Sequence, residues 1–186
     1  FMSIDIKAII AEAFLALCEN KTLKKITIED ILQQCGASRK TFYHHFKDKY
    51  DLIQYCYDTK IIPQWNYEIT DKDEINRWRI EWFCAIQRHG RFMKEACMME
   101  GQNCLWKYIV DKGRTADLEW YEAVNSTPLT EEMKKSIWYH SGACRYMIIE
   151  WILADMPISA EELSENLNKN SNILMRSMMS EERQKE

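Results

Sequence analysis

Glycine and proline are scarce, five and three in 186 residues, so the chain lacks the turn punctuation that a sandwich or barrel of short strands needs roughly every ten residues. It also lacks any C-x-x-C pair. Its seven cysteines, at 18, 35, 56, 84, 97, 104 and 144, are odd in number and scattered, which describes neither a disulfide framework nor a zinc site and suits a reducing compartment. Long apolar runs are missing too: the most apolar stretch, Met147 to Leu153, is short and contains Glu150. With no signal-peptide core either, the expectation is a soluble, cytoplasmic protein without a membrane partner. No phosphate loop, nucleophile–base pair or metal-ligand spacing is visible. The chain is therefore predicted not to be an enzyme and to hold no metal or cofactor.

What is present is 46% apolar and 29% charged residues, a globular composition that leans helical once turn residues are few. The net charge of −4 argues against a surface that binds nucleic acid everywhere, but it averages two unlike parts. Residues 1–62 hold nine Lys/Arg against eight Asp/Glu, and residues 63–186 hold sixteen against twenty-one. Only the first part is placed to face phosphate.

Helical periodicity runs through the whole chain. Ile6, Ile9, Ile10, Ala13, Phe14 and Leu17 form one stripe, predicting a helix over about 4–19. Thr27 with Asp30 three residues on signals a capped start, and Gly36 supplies a left-handed stop after about two turns. Ser38 caps the next helix, Arg39 to about His45, and Asp48 another that continues until Pro63 interrupts it. The domain boundary is expected at about 62, giving 1–62 and 63–186. In the second part, helices are predicted over about 72–89, 92–98, 102–111 and 114–125, separated by Gly90, Gly101 and Gly113, then over 131–154 and 160–178. The fold class is all-α.

A short helix, a turn containing Gly36 and a second short helix make a helix-turn-helix. At about 100° per residue, Lys40, Tyr43, His44 and Lys47 share one third of the second helix's circumference, whereas Phe42 and Phe46 face the other way. No acid occurs between Asp30 and Asp48, so Arg39, Lys40, Lys47 and Lys49 act on phosphate without local cancellation. Tyr43 and Thr27 offer hydroxyls for phosphate, and Arg39, Lys40 and Thr41, at the helix start, are the candidates for reading base edges. The adjacent His44 and His45 point in different directions and make a poor metal pair.

The run Ile26-Thr27-Ile28-Glu29-Asp30-Ile31, followed by Gly36-Ala37-Ser38-Arg39-Lys40-Thr41-Phe42-Tyr43-His44-His45-Phe46-Lys47-Asp48-Lys49-Tyr50-Asp51-Leu52, closely resembles the N-terminal signature of the TetR/AcrR family of bacterial regulators, over about residues 5–57. The resemblance implies a dimeric transcription regulator or repressor on double-stranded, palindromic DNA. It also implies DNA contacts from Thr27, Arg39 to Thr41, Tyr43, His44 and Lys49, and Ser38, at the start of the same helix, is a further DNA-binding candidate. Gly101-Gln102-Asn103, Ser141-Gly142-Ala143 and Glu150-Trp151-Ile152 resemble the C-terminal domain of the subgroup that includes regulators of dihydroxyacetone kinase operons. Some members of that subgroup act as activators or with a second protein, so the expected partner of the second domain is a small-molecule effector or a separate sensor protein.

All seven Trp and nine of ten Met lie after residue 63, which suits either a solid core or an apolar effector pocket. Trp78, Trp82, Gln102, Asn103, Trp106, Trp120 and Tyr139 are the pocket candidates, and Cys97 and Cys104 are read as buried thiols before redox sensors. The last two helices carry wide apolar faces. Ile137, Ala143, Cys144, Met147, Ile148 and Trp151 on the first, with Leu163, Leu167, Leu174 and Met178 on the second, are predicted to form a four-helix interface between two copies.

Overall fold

The computed structural model describes residues 5–64, 71–124 and 128–169. Among these residues every regular element is helical. α1 (Ile6–Asn20) starts where the Asp5 side chain accepts the Ala8 N–H, and it buries Ile10, Ala11, Phe14 and Cys18. A single 3-10 turn, Leu23–Lys25, leads to α2 (Ile28–Cys35). Gly36 stops α2 at φ 69°, a conformation that is strained for any residue with a Cβ. α3 (Arg39–His45) and α4 (Lys49–Cys56) follow, capped by Ser38 and Asp48, and α4 widens into a π turn, Tyr57–Ile61.

The second part comprises α5 (Lys72–Arg88), α6 (Gly90–Cys97), α7 (Leu105–Val124), α8 (Glu131–Leu153) and α9, described over 160–169. Just past the end of α8, Asp155 and Met156 both take positive φ (62° and 53°). This turn, followed by Pro157, reverses the chain, and the Ser159 hydroxyl then caps α9 by accepting the Glu162 N–H. One apolar core joins the two parts of the chain. Phe14 meets Phe92 edge-on at 6.1 Å, and Tyr57, 2% exposed, lies edge-on to Tyr108.

Two expectations need correction. Gly113 does not separate two helices: it lies inside α7. There it provides space, because a Cβ on it would stand 2.3 Å from Arg145 Nε; a Cβ on Gly142 of α8 would stand 2.4 Å from Arg114 Nη2. Each helix lays an arginine over the other's glycine, and each arginine is fixed, Arg145 by Asp117 at 2.8 Å and Arg114 by stacking 3.6 Å from the Trp138 ring centroid. Gly90 likewise opens α6 instead of preceding it, and the Met156 side chain fills the space a Cβ there would take. Gly113→Ala is expected to destabilise the chain by about 1–3 kcal/mol through overpacking, despite a helix-propensity gain of up to about 1 kcal/mol. Urea unfolding measures it, and an increase in stability would contradict the close packing.

Candidate nucleic-acid interface

α2 and α3 owe their positions to caps and to two phenylalanines. Thr27 and Asp30 form a reciprocal box: the Thr27 hydroxyl accepts the Asp30 N–H at 3.1 Å, and Asp30 Oδ2 accepts the Thr27 N–H at 2.7 Å. Lys21 Nζ adds a 2.7 Å contact to the same oxygen. The lysine first, then the threonine, hold the Asp30 carboxyl below the usual carboxylate range. Ser38 Oγ accepts the Thr41 N–H and shares a hydrogen bond with the Thr41 hydroxyl. Phe42 and Phe46, 0% and 2% exposed, pin α3 to the core.

With those rings inside, Arg39, Lys40, Tyr43, His44 and Lys47 stand outward and exposed, while Thr41 is half-buried at the start of the helix. Arg39 lies 5.8 Å from the Tyr43 ring centroid and 3.8 Å from Glu29. Both members of that ion pair are exposed, so it restrains the guanidinium weakly. Lys40 and Lys47 make no ion pair among the described residues. Such a face can meet a polyanion without first breaking internal contacts.

Lys49 stands apart from that face. It was expected among the outward cations, but its ammonium donates to the carbonyl oxygens of Leu23 at 3.0 Å and Ile26 at 2.9 Å. Partial burial there lowers its pKa. Thr27 and Ser38 keep exposed positions but spend their hydroxyls on helix caps. Lys49 thus braces the reader from behind, in the segment between α1 and α2.

The pocket candidates occupy environments that range from buried to exposed. Trp82 is buried and Trp78 lies against it at 5.6 Å, donating its ring N–H to the Pro63 carbonyl. Gln102, Asn103 and Trp106 are exposed, and the Asn103 carbonyl accepts a hydrogen bond from Gln54. Trp120 is half-buried beside Tyr121. Tyr139, 73% exposed, lines an open groove of about 430 Å³ with Arg114, Leu118 and Trp138. Cys97 and Cys104 are buried, and burial pushes the Cys97 thiol up to about 12, far from the thiolate that redox chemistry needs. Among the described residues no group of three or more His, Cys, Asp or Glu is placed to hold a metal ion, and no helix is long and apolar enough to cross a membrane.

The predicted interface residues divide. Ile148, Trp151, Leu163 and Leu167 are 2–5% exposed within the single chain, so their apolar area is already used: Trp151 packs on Phe83 and donates to the Ile158 carbonyl. Ile137 and Cys144 are half-buried, and Ala143 and Met147 are exposed. Leu174 and Met178 lie outside the described residues. Sequence reading missed Tyr139 and Tyr146 as a pair, 73% and 62% exposed on the same side of α8 as Ala143 and Met147. It also missed Arg91 and Glu95, which look like an ordinary i,i+4 surface pair but reach the backbone at Glu19 and Leu23.

Residues 10–56 match the family model described as bacterial regulatory proteins, tetR family. No curated relative matches the chain in sequence. Among solved structures, a protein named dihydroxyacetone kinase operon activator DhaS superposes with a TM-score of 0.64 at 18% identity, over 94% of this chain and 97% of that one. At that identity the likeness concerns the fold, and it extends the all-helical architecture well past the matched segment. The match over residues 10–56, the helix-turn-helix geometry and the outward cations of α3 together make this segment similar to the DNA-binding part of tetR-family regulatory proteins.

Proposed function

We propose that this chain is a DNA-binding regulator of the TetR family that acts in the cytoplasm, without catalysis, as a homodimer setting two copies of α3 in the major groove of a two-fold-symmetric operator. Residues 1–62 form the DNA-binding unit, and residues 63–186 carry dimerisation and control. The supporting observation is the outward set Arg39, Lys40, Tyr43, His44 and Lys47 on a helix whose other side is buried through Phe42 and Phe46. A bare helix fits the major groove, and paired readers call for half-sites about one duplex turn apart. Arg39, Lys40 and Thr41 reach base edges, and Tyr43 and Lys47 meet phosphate.

The dimer surface in this reading is the stripe Tyr139, Ala143, Tyr146 and Met147 on α8, where three large side chains are 73%, 62% and 38% exposed. A contiguous apolar patch of this kind marks an interaction surface, and the same stripe on a second copy covers it by two-fold symmetry.

A second reading makes the chain an activator or co-regulator that takes its signal from a separate sensor protein. Gln102, Asn103 and Trp106 favour it, being exposed near one another in sequence on the surface, where a protein partner can dock. The matched structure is also named an activator. A small molecule that shifts operator affinity of the purified chain, with no protein captured from its neighbouring genes, would favour the first reading.

Selection of bound duplexes from a random pool at a stated low salt tests the proposal. An inverted repeat is the expected product, and enrichment of no sequence would overturn the reading. Arg39→Ala or Lys40→Ala is expected to relax base preference by about 1–3 kcal/mol at one position per half-site. Tyr43→Phe should weaken binding evenly on all sequences. Equal loss of preference in both variants would contradict this division of roles.

A further inference from the structure

We infer that Arg91 and Glu95 of α6 are positioning residues of the DNA interface, holding the reader unit in a set attitude through the backbone N–H and carbonyl of Leu23. This rests on the reading of α3 as the DNA reader. The inference comes from three contacts that meet on one short segment, residues 21–26, between α1 and α2. Glu95 Oε2 accepts the Leu23 N–H, Lys49 Nζ donates to the Leu23 carbonyl, and the same ammonium donates to the Ile26 carbonyl. Leu23 itself is 1% exposed, so neither polar group has ready access to water in exchange.

The two sides of this clasp come from different parts of the molecule. Lys49 is the first residue of α4, directly after the turn that ends α3, and Ile26 immediately precedes the Thr27 cap of α2. Lys49 therefore ties the exit of the reader helix to the entrance of its partner, and the helix-turn-helix moves as one piece. Glu95 belongs to α6, seventy-two residues from Leu23. Its other oxygen, Oε1, is held by Arg91 Nε at 3.2 Å, and Arg91 Nη1 donates to the Glu19 carbonyl in the last turn of α1. Arg91 thus fixes the carboxylate and grips the helix that precedes the segment. α6 in turn packs against α8, and Lys94 on α6 pairs with Asp155 in the left-handed turn at the end of α8 at 2.6 Å. α6 thus contacts both the end of α8 and, through Glu95, the Leu23 N–H.

A structural role alone would make Glu95 no more than an acceptor for a buried N–H. A positioning role predicts something further, because two copies must present their α3 helices at a fixed separation. Glu95→Ala, Arg91→Ala and Glu95→Gln are compared with the wild-type full chain on duplexes whose half-sites are moved apart or together by single base pairs, and on a duplex with one half-site only. The expected result is that Glu95→Ala and Arg91→Ala bind the best-spaced wild-type operator about tenfold less tightly, bind the single half-site as wild type does, and prefer a different spacing or none. Glu95→Gln keeps an acceptor for Leu23 and is expected to fall between, which keeps the test alive should Glu95→Ala fold poorly. If affinity for half-site and full operator falls in parallel, or if the preferred spacing stays unchanged in all three variants, the positioning role is overturned. A wild-type chain that binds no duplex would instead overturn the reading of α3 itself.

Discussion

Phe42→Ala is expected to lower the unfolding free energy by about 3–5 kcal/mol, the usual cost of deleting a fully buried aromatic ring. Phe42 is 0% exposed and packs against Phe46 at 5.7 Å and Tyr43 at 5.4 Å. α3 has seven residues, too few for a helix that stands by itself in water, so its form depends on this ring and on the Ser38 cap. A typical domain has only about 5–15 kcal/mol in total. The variant should therefore lose a large share of its margin, and operator binding should follow the folded fraction. Because the core is continuous from Phe14 to Phe92 and every Trp lies beyond residue 63, tryptophan emission and far-ultraviolet dichroism should report one shared urea transition. A loss below about 1 kcal/mol would show that Phe42 does not anchor the reader.

The second large effect is on affinity. Arg39, Lys40 and Lys47 are exposed and, counted in both copies of the proposed dimer, bring six cations to the duplex, where those lying on base edges displace counterions much as those on phosphate do. Neutralising about six phosphates releases enough bound counterions that operator affinity should fall about 10³-fold between 50 and 200 mM salt. Lys47→Ala removes one cation from each copy and should reduce the slope of log affinity against log salt by about 1.8. Lys49→Ala should leave that slope where it is, since its ammonium is occupied by the Leu23 and Ile26 carbonyls. Fluorescence anisotropy on one labelled duplex across a salt series measures both slopes. A slope that changes as much for Lys49→Ala as for Lys47→Ala would show that Lys49 leaves its carbonyls to meet phosphate.

The reader was legible because its determinants are local. Thr27 and Asp30 box each other across three residues, Ser38 caps Thr41 across three, and Gly36 needs only its own missing Cβ to turn left-handed. The opposition of Phe42 and Phe46 to Lys40, Tyr43 and Lys47 likewise follows from helical spacing alone. The start of α8 was legible for the same reason, through Thr130 accepting the Met133 N–H, and α5 through the helical spacing of Ile75, Trp78, Trp82, Phe83 and Ile86.

The later chain shows where such reading stops. An apolar stripe states that a helix face is buried and leaves open by what. Ile148, Trp151, Leu163 and Leu167 looked available to a second copy, yet the chain's own core takes them. Gly113 looked like a break and instead serves as clearance for Arg145. Nothing near Trp82 or Tyr139 in sequence reveals that the first is 5% exposed and the second 73%.

Taken by itself, the amino-acid order settled the helical class, the caps and the helix-turn-helix with its basic outer side, since each depends on groups within about one turn of one another. Tertiary structure alone decided which apolar faces are spent inside, that Lys49 turns inward, and that Arg91 and Glu95 each grip a backbone group seventy-two residues away. Contacts of that range arise only when the chain has packed, because a side chain bonds to whichever partner the fold delivers, and no short window of sequence holds both members of the pair.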